Sequence, residues 1–115
     1  MADSVLYIDN DDLRRSKVTA LLASMYNQNV QTVASIDRAQ FETNAYELVF
    51  VHNGNSEEAN GIFKGHWNRG DATVVLFSGG YGVSHMQRLD PRRIRVSSTL
   101  LQDSFAEVIE FIGQR

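Results

Sequence analysis

Four short runs rich in Val, Tyr, Phe and Ile set the strongest constraint on what this chain can fold into: "SVLYID" (4–9), "YELVFV" (46–51), "ATVVLF" (72–77) and "RIRVSS" (93–98). A weaker fifth is "NVQTVAS" (29–35). Apolar runs of this length, bounded by turn residues, read as strands. The central ones hardly alternate between apolar and polar, which is what strands covered on both faces require. Helical patterns lie between them, so strand and helix alternate five times. That alternation predicts an α/β fold: an open, doubly wound, five-stranded parallel sheet with helices on both faces. With 115 residues and no repeat, linker or low-complexity tract, the chain reads as a single domain over 1–115.

The helical stretches carry recognisable patterns. Leu13, Val18, Leu21, Leu22 and Met25 share one face, with Arg14, Arg15 and Lys17 largely off it. Ile36, Ala39 and Gln40 suggest a short helix capped by Ser35. Ser56, Glu57 and Glu58 open another, with Ala59, Ile62, Phe63 and Trp67 on one side. Gly61 and Gly65 weaken that helix by about 1 kcal/mol each relative to alanine. "GVSHMQRL" (82–89) reads as a short helix that Pro91 helps to stop. A last helix over 100–113 turns Leu101, Phe105, Val108, Ile109 and Ile112 toward the core.

Composition excludes several function classes. The net charge of −3 gives no electrostatic case for nucleic acid or an acidic membrane. The chain has no cysteine, hence no disulfide framework, thiolate nucleophile or cysteine-ligated metal, a composition that fits a cytoplasmic location. "MADSVLYIDN" has neither the basic flank nor the apolar length of a signal peptide or anchor. "RGD" at 69–71 reads as a turn before a strand.

In sheets of this kind ligands sit beyond the carboxyl ends of the strands. The residues that matter are then Asp9-Asn10-Asp11-Asp12, His52-Asn53-Gly54, Ser78-Gly79-Gly80 and Ser97-Ser98-Thr99. Through this set the chain resembles, over nearly its whole length, the receiver domain of bacterial response regulators, a flavodoxin-like fold. "VLYIDNDDLRRSKVTALL" looks like the first strand, acidic turn and first helix. "YELVFVH" looks like the third strand, which in that family ends on the aspartate that accepts a phosphoryl group. "VVLFS" looks like the fourth strand with its terminal hydroxyl residue, and "RIRVSSTLLQDSFAEVIEFI" like the fifth strand and last helix.

Carried over position by position, the resemblance puts Asp9 at the first acidic position and Asn10, followed by Asp11, at the second. His52 stands in place of the phosphoacceptor, and Ser78 fits the hydroxyl position. Ser98 (or Ser97, depending on register) replaces the lysine, and Thr99 the proline that follows it. Imidazole cannot form an acyl phosphate. The acids that remain are too few to hold magnesium well. The missing lysine removes the positive charge that would hold phosphoryl oxygens. The resemblance therefore implies a pseudo-receiver with a degenerate pocket, not an enzyme. It implies no cofactor, no metal, and a signalling role through phosphorylation-independent protein–protein interaction. Its partner would be a kinase, scaffold or other signalling protein, with a homodimer also admissible. Receivers commonly dock through the fourth helix, fifth strand and last helix, where Arg92, Arg93 and Arg95 form a basic cluster.

Other readings of the same residues stay open at this stage. Asp11 and Asp12 fit a helix cap and first-turn acids, while Asp9 fits the pocket. His52 is a phosphohistidine, a metal ligand, a pH switch, or a filler of a retired pocket. Protonated, it could pair with Asp9, and that pairing predicts a pKa above the ordinary value of about 6.5. "SGGYG" suggests a phosphate-cradling loop, so a small nucleotide- or phosphate-binding module or enzyme built on Ser78-Gly79-Gly80 is the alternative function. Its plain reading is a loop that needs positive φ. His52 with Ser78 suggests a hydrolase dyad that lacks a third residue. Trp67, between Lys64 and Arg69, is either an interface anchor or a residue packed under its own helix.

Overall fold

A computed structural model of the chain describes residues 4–26, 30–36, 46–65, 72–79, 86–98 and 105–113. The elements run β1 (Val5–Ile8), α1 (Asp12–Tyr26), β2 (Val30–Val33), β3 (Leu48–His52), α2 (Ser56–Phe63), β4 (Thr73–Ser78), β5 (Met86–Asp90), β6 (Arg93–Ser97) and α3 (Phe105–Gly113). They form an α/β structure on one six-stranded sheet of order β2-β1-β3-β4-β6-β5. The first five strands in that order are parallel to their neighbours. Their order is the one found in flavodoxin-like doubly wound sheets.

The apolar runs are explained by where alternate residues go. Val5 and Tyr7, Leu48 and Phe50, Val75 and Phe77, and Ile94 and Val96 fall in one apolar cluster with Val18 and Leu22 of α1 and Phe105 and Val108 of α3. Leu6 and Ile8, Val49 and Val51, and Val74 and Leu76 fall in a second cluster with Ala59, Ile62 and Phe63 of α2. Because successive side chains point to opposite sides of a sheet, β1, β3 and β4 are buried on both faces and their sequences need not alternate.

The sixth strand corrects the expectation of five. Met86–Asp90 pairs antiparallel with β6 where a short helix was predicted; residues 82–85 of that prediction lie outside the described residues. Met, Gln, Arg and Leu all favour helices, and this local preference is overridden by tertiary pairing. Met86, Arg88 and Asp90 are half-buried while Gln87 and Leu89 are exposed, the two-residue period of an edge strand. Pro91 marks the turn of a hairpin, not a helix end. Asp90 closes that turn by accepting from the Arg92 amide (2.8 Å) and pairing with Arg93 (2.7 Å), and a register shift between Arg88 and Asp90 bends the edge. The Arg92 amide bond and then Arg93 hold the Asp90 carboxyl below the usual carboxylate range, despite some desolvation. Arg88 crosses to α3 and donates to the carbonyls of Phe111 and Ile112 (3.0 and 3.3 Å), occupying orphan acceptors of the helix end.

The helices also differ in detail from the sequence reading. Leu13, placed on the core face by its spacing, is 69% exposed in the first turn of the helix, which starts at Asp12. α2 ends at Phe63, so Gly65 is not a helix-interior residue: its φ of 85° belongs to the left-handed turn that stops the helix. Ser56, Glu57 and Glu58 open α2 as expected, with Asn55 in the position before the first turn. The predicted helix at Ile36, Ala39 and Gln40 falls mostly outside the described residues, as do Trp67, Leu101 and the "RGD" turn. Among the described residues, no helix is long and apolar enough to cross a membrane.

Candidate functional site

The register brings the predicted site residues to one edge of the sheet. Ile8 pairs with Val51, so Asp9 and His52 emerge side by side, and Ser78 pairs with Ser97 two strands further along. Asp9 is fully buried and saturated with donors. Arg14 grips it with a two-pronged fork, Nε to Oδ2 at 2.6 Å and Nη2 to Oδ1 at 2.7 Å. The Asp11 amide donates to Oδ1 at 3.0 Å, and the Tyr7 hydroxyl donates to Oδ2. Burial by itself would raise the Asp9 pKa; the bonds from Arg14, Tyr7 and the Asp11 amide overcome it and hold the carboxyl below its usual range. Burial, and then the Asp9 bond and charge, push the Tyr7 phenol well above its ordinary value. A second arginine, Arg15, donates to the Asp9 carbonyl oxygen (2.8 Å) and to Asp12 (2.6 Å).

Local sequence explains the fork. Asp11 is the N-cap of α1, its Oδ1 accepting from the Arg14 amide at 2.8 Å. The cap fixes the first turn so that the third helical residue, Arg14, reaches back over the strand end. Asp11 and Asp12 are thus cap and first-turn acid, and Asp9 alone occupies the pocket. Arg14 is the site residue that the sequence reading missed, because it was judged only by its distance from the helix's apolar face. The available signal was an arginine five residues after a strand-terminal aspartate, in the first turn of the following helix.

His52 ends β3, and the Asn53 amide extends the pairing to the Phe77 carbonyl (2.8 Å). Its Nδ1 faces the Gly54 amide at 3.0 Å and Arg14 Nη2 at 3.3 Å. Two donors at one ring nitrogen require a lone pair there, which places the proton of the neutral ring on Nε2. Burial first, and then the Arg14 charge, lower the His52 pKa; Asp9 and Asp11 pull the other way and lose. This corrects the expected charged pair with Asp9. Arg14 holds that place, and a second cation beside it is disfavoured. The sign for stability also reverses: the contribution of His52 is full above about pH 6.5 and is lost as pH falls through the lowered folded value. With Nδ1 accepting and Nε2 protonated, the neutral ring offers no free lone pair to a phosphoryl group or a metal.

Asn10 completes the arrangement by donating from Nδ2 to the Gly54 carbonyl at 2.9 Å. A Cβ on Gly54 would stand 2.9 Å from Asn10 Oδ1 and 3.2 Å from His52 Nδ1. Gly54→Ala is therefore expected to displace the exposed Asn10 carboxamide and to destabilise the chain by about 0.5–1 kcal/mol, the worth of the Asn10–Gly54 hydrogen bond. Urea denaturation checks it, and an unchanged midpoint would show that the loop yields freely.

Ser78 and Ser98 do not join this network. Ser78 is half-buried at the end of β4, Ser97 is buried at the end of β6, and Ser98 follows it with its amide on the Ser78 carbonyl (3.1 Å). Among the described residues no hydrogen bond links Ser78 or Ser98 to Asp9 or His52, and the Nδ1 of His52 is already engaged, so no Ser–His dyad is assembled. Gly79 does not adopt positive φ, and the rest of the loop for which positive φ was expected, Gly80 and Gly82 included, lies outside the described residues, as does Thr99. No group of three or more His, Cys, Asp or Glu able to hold a metal ion occurs among the described residues.

The three arginines of the predicted docking cluster are spread out. Arg93 and Arg95 project from the same side of β6, Arg93 onto Asp90 and Arg95 over the Phe63 ring, 5.5 Å from its centroid. Arg92 lies in the hairpin turn. There it lines a groove of about 520 Å³ with Thr73, Arg88, Asp90, Pro91 and Ile112, at the opposite edge of the sheet from Asp9 and His52.

No protein-family model, curated protein or solved structure matches this chain.

Proposed function

We propose that this chain is a receiver-like signalling domain whose phosphorylation pocket has been retired, and that it acts in the cytoplasm by binding another protein without phosphotransfer. The observation that carries the reading is the Arg14 fork on Asp9, beside a histidine at the end of β3. A guanidinium saturates the one buried acid that a receiver would commit to a cation, and no carboxylate stands where the phosphoacceptor would be. The parallel strand order β2-β1-β3-β4-β6 supports the receiver-type fold.

Incubation with acetyl phosphate and magnesium is expected to add no phosphoryl group, as read by intact mass. A stable, acid-labile gain of one phosphoryl group would overturn the reading. His52→Asp alone is expected not to restore uptake, because Arg14 still occupies Asp9 and the lysine position holds serine; groups that act as a unit are not rescued singly.

Where receivers place a fourth helix, this chain has the β5–β6 hairpin with Arg92, Arg93 and Arg95. We assign partner contact to that hairpin, since arginine is enriched among residues that dominate interfaces. Once a partner is recovered with the isolated chain, Arg92→Glu is expected to slow association and flatten its salt dependence. Equal binding by the variant would move the contact elsewhere.

A further inference from the structure

The turn between β3 and α2, residues 53–55, is tied to the start of α1 at two points. One is Asn10 Nδ2 on the Gly54 carbonyl. The other is the His52 ring, whose Nδ1 accepts the Gly54 amide and faces Arg14 Nη2. We propose that His52 is a proton-operated latch on this turn: the neutral imidazole holds the Gly54 amide beside Arg14, and the imidazolium lets that amide go.

The geometry compels the release. An imidazolium carries a hydrogen on each ring nitrogen, so Nδ1 would present N–H to an amide N–H at 3.0 Å and to a guanidinium at 3.3 Å. Rotating the ring by half a turn replaces Nδ1 with a carbon and does not restore an acceptor. The charged groups around the ring are distributed as follows. α1 contributes Arg14, which opposes protonation, and the N-cap Asp11, which favours it; the end of β1 contributes Asp9, which also favours it. β4, paired along the other side, brings Phe77 and Ser78, neither of them charged. α2 opens with Glu57, exposed, and Glu58, whose carboxylate accepts the Ile36 amide at 2.6 Å. Arg14 is locked to Asp9 by two short bonds and cannot yield its place to the imidazolium. The Gly54 bond is the one that gives way. Burial and Arg14 place the transition below the ordinary histidine value, so the latch is closed at neutral pH and opens as the pH falls through the lowered value. The latch is a property of these residues and does not rest on the receiver-like reading.

The test is an NMR titration of the full chain from about pH 8 to about pH 5, following the imidazole resonances and the backbone amides. The expected result is one midpoint, below 6.5, shared by the His52 ring and the Gly54 amide, with loss of Gly54 exchange protection below it and no change at the Phe50 amide. His52→Asn places an amide oxygen where Nδ1 stood and does not titrate, so it is expected to keep Gly54 protected across the range. Three results would each overturn the latch: a Gly54 amide that ignores the His52 titration, a His52 midpoint above 6.5, or the same Gly54 transition in His52→Asn. The titration of the unaltered chain stands by itself if that variant folds poorly.

Discussion

Arg14→Leu is expected to melt roughly 10 °C below the unaltered chain. The substitution leaves the Asp9 carboxylate, which is fully buried, with the Tyr7 hydroxyl and the Asp11 amide but without its cation. Removing one partner of a buried ion pair costs about 3–5 kcal/mol. Arg14 is itself 25% exposed, so water can follow the vacated side chain and the lower end, about 3 kcal/mol, applies. For a domain of this size each kcal/mol moves Tm by about 3–4 °C. The loss should be smaller in Asp9→Asn/Arg14→Leu, because an uncharged carboxamide no longer needs the cation but still accepts from Tyr7 and Asp11. The acid limb offers a second readout. The folded Asp9 pKa lies below the ordinary value of about 3.9, so its stabilisation is present above that pH and is lost as pH falls through the folded value. In Arg14→Leu that dependence should shift to higher pH. A Tm within about 2 °C of the parent, well under the expected loss, would show that the fork is not a structural tie.

Phe50→Ala is expected to cost about 4 kcal/mol, read as a lower urea midpoint with unchanged m-value. Phe50 has no exposed surface and sits at the centre of a three-ring contact, 6.1 Å from Phe77 and 5.7 Å from Phe105 by ring centroid. Truncation removes the transfer free energy of the ring, leaves a cavity between the sheet and α3, and forfeits two ring pairs of about 0.5–1.5 kcal/mol each. Phe105 meets Phe77 as well (6.4 Å), so the variant also loosens the seat of α3. Phe50→Leu should retain most of the volume and lose about 1 kcal/mol. If the alanine variant lost no more than the leucine variant, the cluster would have closed over the gap, contrary to a packed core.

The strands were legible because their signal is local. Val5–Ile8, Leu48–His52, Thr73–Ser78 and Arg93–Ser97 are runs of residues that fit a pleated, buried surface, and each is bounded by residues that break it. The parallel arrangement of β1, β3 and β4 agrees with the helical patterns read at α1 and α2, while the stretch before β6 that read as a helix holds strand β5 instead. The helix edges were less legible. The start of α1 rests on a cap whose identity could be read from "NDDL", but the exposure of Leu13 depends on how the helix is seated against the sheet, which no spacing encodes. Gly65 looked like a defect inside a helix because only the backbone reveals that the helix has already ended.

The site divides in the same way. That Asp9, His52, Ser78 and Ser97 reach one edge of the sheet is a consequence of strand order and polarity, and the sequence pattern carried it. The partner of Asp9 is a different matter. Asp9 could have met His52, beside it across the sheet, or Arg14, five residues along the chain; both were present in the sequence. Only the tertiary structure decides, because the direction of α1 relative to β1 brings the guanidinium back onto the carboxylate with both prongs. Once it is there, the charge state of His52 follows from burial and from the neighbouring cation. Met86–Asp90 shows the same hierarchy in the fold. Its residues by themselves determine only a weak helical preference, while the open edge of β6 supplies a ladder of backbone hydrogen bonds that a five-residue helix cannot match.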